Sequence, residues 1–309
     1  LGGFDGLFER IKAVNPAAQD HSRLILPADT AAPFPWSGIL FGLAFVMSPG
    51  YWWGNQAIIQ RTLGARSEFE AKASYVCGAL LKSVIPFVVA VPGLIALAKI
   101  PGLQDSDQAL PFLAAHVLPV GLKGVFLAAF LAALMSCMES YLNSAATLFT
   151  NDFYHRFFVR RATEEKILRV GRITTLVLMV WSILFALAIQ AVVDTGLYVI
   201  FQSLMALFSG PALAALLAGV LWKRATAKGA IAGFVGGVLT SISLFTLSLE
   251  GVAKGLGIDK LFKIENPFLY VSVWAFLAAW ALIVGVSLAT KPEPEEKLRG
   301  LVYGMEGNR

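Results

Sequence analysis

Cysteine is scarce in this chain, which has only Cys77 and Cys137, both inside apolar runs. That excludes a disulfide framework and a cysteine-based metal site. Histidine is nearly as rare. His21, His116 and His155 all fall in loops outside the apolar runs and lack the spacing of metal ligands. With no histidine inside a run, the commonest proton-relay residue is missing as well. No GxSxG, P-loop or HExxH pattern occurs, so no enzyme constellation competes for the function. Charge is also thin, at 15% of the 309 residues, against about 25% in an average soluble protein. The net charge of +5 raises the question of an anionic partner such as nucleic acid.

What the chain has in abundance is apolar sequence: 57% of its residues are hydrophobic, and its mean hydropathy is +0.70. Apolar runs recur from Trp36 to Ala289, and short segments between them hold nearly all the charge. Each run is long enough to cross the roughly 30 Å hydrocarbon layer at about 1.5 Å per residue. Strands are a poor alternative, because the runs lack period-2 alternation and are too long. The pattern predicts an all-α integral membrane domain over 36–289, with about seven spans near 36–60, 70–98, 122–150, 170–192, 196–221, 229–249 and 268–289. Alternate loops differ in basic residues by two to one. The richer side holds Arg61, Arg66, Lys72, the cluster from Arg156 to Arg172, Lys223, Arg224, Lys228 and the tail. That side is expected to be cytoplasmic. Residues 1–35 are then an external loop and 290–309 a cytoplasmic tail. The basic excess is a topology signal, and nucleic-acid binding has no place in the reading. With Leu1 in place of an initiator Met and no signal-peptide pattern, a fragment or processed chain is expected. Gly229, Gly233 and Gly237 form a GxxxGxxxG ladder, read as close helix packing.

Several residues stand out against this background. Ser48-Pro49-Gly50 lies inside the first span, where Pro49 cannot donate to the carbonyl one turn back. Either the helix is interrupted at mid-depth, as in transporter binding sites, or it carries a proline kink. The polar and aromatic cluster Tyr51, Trp52, Trp53, Asn55 and Gln56 favours a site. Lys82 lies about 18 Å along a helix from Glu70, too deep to snorkel easily, and should face a polar cavity or a partner. Glu139 is the sole carboxylate well inside a span; it pairs with Lys82 or serves a separate ligand. The third span also carries Ser136, Cys137, Ser140, Asn143 and Ser144. Gln202 is a single amide in the fifth span, open to substrate contact or to helix–helix hydrogen bonding.

The run Tyr51-Trp52-Trp53-Gly54-Asn55-Gln56, continuing to Gln60-Arg61, resembles the YW-x-x-NQ-x-x-x-QR signature of the sodium/solute symporter family, in its sodium–glucose cotransporter branch. Asn143–Asp152 is similar to its NS-x-x-T-x-FT-x-D stretch, and Leu221–Ala230 to its WK-x-x-T-x-KGA loop. Glu296–Leu301 resembles the segment after its later helices, so the likeness runs through essentially the whole chain in order. The resemblance implies a LeuT-like inverted-repeat transporter, here its C-terminal part: core helices 6–10 plus two. It implies sugar contacts at Ser48, Tyr51 (the aromatic under the ring and inner gate), Trp52, Lys82 and Gln202. Of these, Ser48, Tyr51, Lys82 and Gln202 are expected to meet in one mid-membrane cavity. For sodium it implies the carbonyl of Ala133 and the positions of Ser136 and Cys137, where Cys137 replaces a family serine. Glu139 and Ser140 fall near a second sodium position found in some members. An ionised Glu139 would offset the hydroxyl lost at Cys137, with protons competing for it.

The expected function is sodium-coupled sugar symport by alternating access in the cell membrane, plasma or bacterial inner. Sodium is the coupling ion, and no other cofactor is implied. The expected partners are a sugar, sodium and membrane lipid. The alternatives are a symporter of inositol or a monocarboxylate on the same fold, and a non-transporting sugar sensor.

Overall fold

The structure, a computed structural model, describes residues 3–14, 23, 25–28, 34–101, 106–159, 163–192, 197–255 and 267–305, and every regular element among them is helical. In chain order they are α1 (Gly3–Val14), a π-wound segment (Gly38–Met47) running into α2 (Ser48–Gly54), α3 (Gln56–Leu63), α4 (Glu68–Lys82) and α5 (Ile85–Lys99). Then come a 3-10 turn (Ser106–Gln108), α6 (Ala109–Val117), α7 (Val120–Leu148) with a π-wound extension (Phe149–Phe158), α8 (Glu164–Val192) and α9 (Leu197–Leu221). The series closes with α10 (Ala227–Ser248), α11 (Glu250–Gly255), α12 (Pro267–Ala289) and the single turn α13 (Glu295–Leu298). Among the described residues, six stretches are long and apolar enough to cross a membrane: Glu68–Lys99, Val120–Phe158, Glu164–Ile189, Tyr198–Leu221, Ala227–Ser248 and Phe268–Ala289.

The stretch read as a first span is divided, but not where the sequence pattern puts the break. Met47 and Ser48 are both helical (φ −70°, ψ −44° and φ −65°, ψ −49°), and the winding changes there from π to α. Pro49 falls in the first turn of α2, and the helix continues through it, the Ser48 amide just before it donating to the Leu43 carbonyl across the change of winding. The interruption comes at Asn55, which is extended at φ −87°, ψ 111°. A second break, not foreseen, splits the next span at Ser83–Val84. Pro86, in the first turn of α5, has no hydrogen for the carbonyl four residues back, that of Lys82. The Ser83 hydroxyl donates to the Ala79 carbonyl at 3.1 Å. At the other end of α4, the Ser67 hydroxyl accepts from the Glu70 amide at 3.2 Å, and the Glu70 carboxylate accepts from the Arg66 amide at 3.2 Å. The arrangement approximates a capping box.

The chain forms two compact units: Leu1–Ser22 with Gln56–Gly196, and Arg23–Asn55 with Leu197–Arg309. In the first, α1 lays Leu7 and Ile11 against Ala98 of α5, α3 packs on α7, and α7 packs on α8. Large apolar side chains such as Leu81, Phe87, Met135 and Trp181 point outward from α4, α5, α7 and α8. Such faces suit hydrocarbon or further helices, and not water.

In the second unit, α9, α10 and α12 share a core centred on Ala214, Ala218, Ala279 and Ile283. The glycine ladder brings α10 onto α12: a Cβ at Gly233 would meet the Ala279 carbonyl at 2.7 Å, and one at Gly237 the Ala279 Cβ at 2.8 Å. The ladder is closed at one end by Thr226, whose hydroxyl accepts from the Gly229 amide at 3.1 Å and is bonded to the Thr290 hydroxyl at 2.9 Å. Arg224 donates to the Thr290 carbonyl at 2.6 Å, at the C-terminal end of α12. Met47, Ala206, Phe268 and Leu269 hold the π-wound segment to α9 and α12.

Candidate functional site

Four of the five residues expected at a sugar site belong to the second unit. Ser48, Tyr51 and Trp52 are half-buried on α2. The Tyr51 and Trp52 rings stand edge to face, centroids 6.5 Å apart at 89°. α2 packs along α9, and the approach is close because Gly50 has no side chain: a Cβ there would stand 3.0 Å from the Ser209 carbonyl. Gln202 is buried, at 8% exposure, and its amide nitrogen donates to the Tyr198 hydroxyl at 3.1 Å, one turn back on α9. It lies seven residues, about 10 Å of helix, before the Gly50 crossing. α2 and α9 thus present aromatic faces, hydroxyls and one amide within a single unit. Lys82 belongs to the other unit, where it is exposed as the last residue of α4. Its depth in the apolar run, noted from spacing alone, coincides with the break between α4 and α5.

The residues expected at the cation site all lie on α7. Positions 133, 136, 137 and 140 fall on one helix face, with Glu139 beside it. Ala133, Ser136, Cys137 and Glu139 are exposed, and Ser140 is half-buried. The Ser140 hydroxyl donates to the Ser136 carbonyl at 3.0 Å, and the Ser144 hydroxyl donates to the Ser140 carbonyl at 2.8 Å. These back-bonds line the face with oxygen at close spacing. Among the described residues no group of three His, Cys, Asp or Glu side chains is placed to hold a metal ion. The oxygen atoms on and beside this face of α7 are therefore backbone carbonyls, serine hydroxyls and the Glu139 carboxylate.

One residue here is missed by the pattern reading. Arg61 counts in the sequence as cytoplasmic loop charge, yet its guanidinium Nη2 donates to the Ser140 hydroxyl at 2.7 Å. Its place in the QR pair that ends the signature run was the available signal.

The sequence profile of the Sodium:solute symporter family matches residues 1–237. The chain belongs to that family. It is therefore a multi-pass membrane protein sequence, placed among transporters and not among enzymes. The sodium/glucose cotransporter of Vibrio parahaemolyticus is 32% identical over 94% of this chain and 54% of its own length. Human sodium/glucose cotransporter 4 is 34% identical over 90% of this chain and 44% of its own. Human sodium/myo-inositol cotransporter 2 is 32% identical over 98% of this chain and 49% of its own. The chain thus spans about half the length of the curated relatives it matches. A solved Na+-coupled sialic acid symporter, in a substrate-bound outward-open state, superposes with a TM-score of 0.71 at 20% identity, covering 94% of this chain and 57% of that one. That likeness establishes the LeuT-like, all-helical fold of this symporter part.

Proposed function

We propose that the transporter to which this chain belongs couples sodium entry to uptake of a small polyhydroxylated ring, a sugar or an inositol, by alternating access. The observation that carries the reading is the α2–α9 pair: Tyr51 and Trp52 half-buried edge to face on α2, packed along the helix that holds the buried Gln202. A pyranose or cyclitol offers an apolar C–H face to an aromatic ring and a rim of hydroxyls to amides, hydroxyls and an ammonium. Ser48, Tyr51, Trp52, Lys82 and Gln202 are the proposed substrate contacts. Tyr51 serves as the gate under the ring. On α7, the Ala133 carbonyl, the Ser136 and Ser140 hydroxyls and the Glu139 carboxylate are the proposed sodium ligands. Cys137 contributes little, as a soft sulfur donor to a hard ion.

Inositol stands beside sugar because relatives of both kinds resemble this chain to the same degree. The test is sodium-driven uptake of labelled glucose and of labelled myo-inositol into proteoliposomes of the complete transporter, with monocarboxylates as competitors. Sodium-dependent uptake of either ring, blocked by unlabelled hexose or inositol and not by lactate, supports the reading. Uptake blocked by lactate alone replaces it with carboxylate symport. Sodium currents evoked by sugar without uptake indicate a sensor.

A further inference from the structure

A guanidinium keeps its charge at every physiological pH and presents its N–H groups as a rigid fork. A hydroxyl oxygen that it holds cannot coordinate a second cation without bringing two positive charges within a few ångströms. In the first unit, Arg61 Nη2 lies 2.7 Å from the Ser140 hydroxyl. That hydroxyl has already given its hydrogen to the Ser136 carbonyl at 3.0 Å, so towards Arg61 it acts only as an acceptor, the role it would play towards a metal ion. The two residues are 79 positions apart, brought together by the packing of α3 on α7. Along the chain, only the extended Asn55 separates α3 from α2 and its Tyr51–Trp52 pair.

We propose that Arg61 is a tethered cation that competes with sodium for the Ser140 hydroxyl. In the conformation seen here the guanidinium holds that oxygen. Sodium takes it only when α3 has drawn Arg61 away. Because α3 continues from α2 through one residue, a substrate-dependent shift of α2 reaches Arg61 by the shortest covalent path, which ties cation occupancy to the state of the solute side. The inference rests on the reading of α7 as the cation helix and adds to it a residue that lowers sodium affinity and favours release.

The experiment measures sodium binding to the purified complete transporter without sugar, as the sodium dependence of its melting temperature, alongside the sodium dependence of uptake. R61Q is expected to lower half-saturating sodium about fivefold or more, the usual floor for coupled binding. R61K, which keeps a charge but not the fork, falls between R61Q and the parent. S140A raises half-saturating sodium, and R61Q made in the S140A background produces no further drop. An S140A variant with unchanged sodium binding overturns the assignment of Ser140 to the cation region, and the competition with it. An S140A effect with no change in R61Q, or an R61Q effect that persists undiminished beside S140A, overturns the competition alone. Should R61Q fail to insert, R61K decides: sodium binding identical to the parent's counts against the proposal.

Discussion

Lys82 and Glu139 are the two charges that the apolar runs carry deepest, and they meet different local structure. Lys82 ends α4 at the turn forced by Pro86, so its ammonium leaves a helix terminus. Glu139 sits mid-helix on α7, next to a face lined with serine oxygens. Lys82→Ala is expected to weaken apparent solute affinity if, as proposed, its ammonium donates to a ring hydroxyl. Tyr51→Ala is expected to lower both affinity and turnover, since a gate residue controls release as well as binding. Uptake kinetics of the two variants in the complete transporter check both, and unchanged kinetics in each would remove the substrate-site assignment. On α7, Cys137→Ser restores a hard hydroxyl donor and should raise apparent sodium affinity, whereas Glu139→Gln should lower it. Half-saturating sodium measured for the pair decides, and movement in the opposite sense excludes these residues from the site. All of these positions were legible as chemical outliers in an apolar run. Arg61 was not, because a loop arginine is the default carrier of topology charge, and its partner lies 79 residues away.

At the scale of single elements, spacing identified the helices but misplaced their breaks. Pro49 has the strongest breaking tendency in its stretch, yet it is absorbed at a change of winding and the chain opens at Asn55 instead. Proline costs a helix its own N–H bond and crowds the carbonyl four residues back, yet at Pro49 the backbone stays helical through the change of winding. The glycine ladder is the opposite case, where small residues every fourth position did announce a helix contact. Gly233→Ala should destabilise the α10–α12 pair by about 1–3 kcal/mol, because a Cβ would meet the Ala279 backbone carbonyl at 2.7 Å and backbone yields little. Gly285→Ala on α12 meets nothing within 4 Å, and should be neutral or stabilise by about 0.4–1 kcal/mol. Thermal unfolding of the two variants in detergent tests the contrast. Equal melting temperatures would mean that the close approach does not carry the packing.

For the whole molecule, the two-to-one imbalance of basic residues leads us to propose that the α9–α10 loop and the tail lie inside, and the segment that holds α11 outside. With Cys77 and Cys137 replaced, single cysteines at Lys223 and Lys291 are expected to react with a membrane-impermeant maleimide only after permeabilisation. A cysteine at Lys254 should react in intact right-side-out vesicles. The reverse pattern would invert the orientation.

Membrane class, helical content and the family signature were decided by the sequence alone, because insertion depends on the length and hydropathy of each run taken by itself. The residues that interrupt those runs marked the candidate site for the same reason: each is costly at depth whatever its neighbours are. Tertiary structure alone decided which residues meet. The Arg61–Ser140 contact spans 79 positions, and the Ser37 and Tyr270 hydroxyls, 2.7 Å apart, are separated by 233. Such pairs depend on the register at which helices pack, set by side-chain and glycine fit along whole interfaces, and no local pattern in the chain encodes that register.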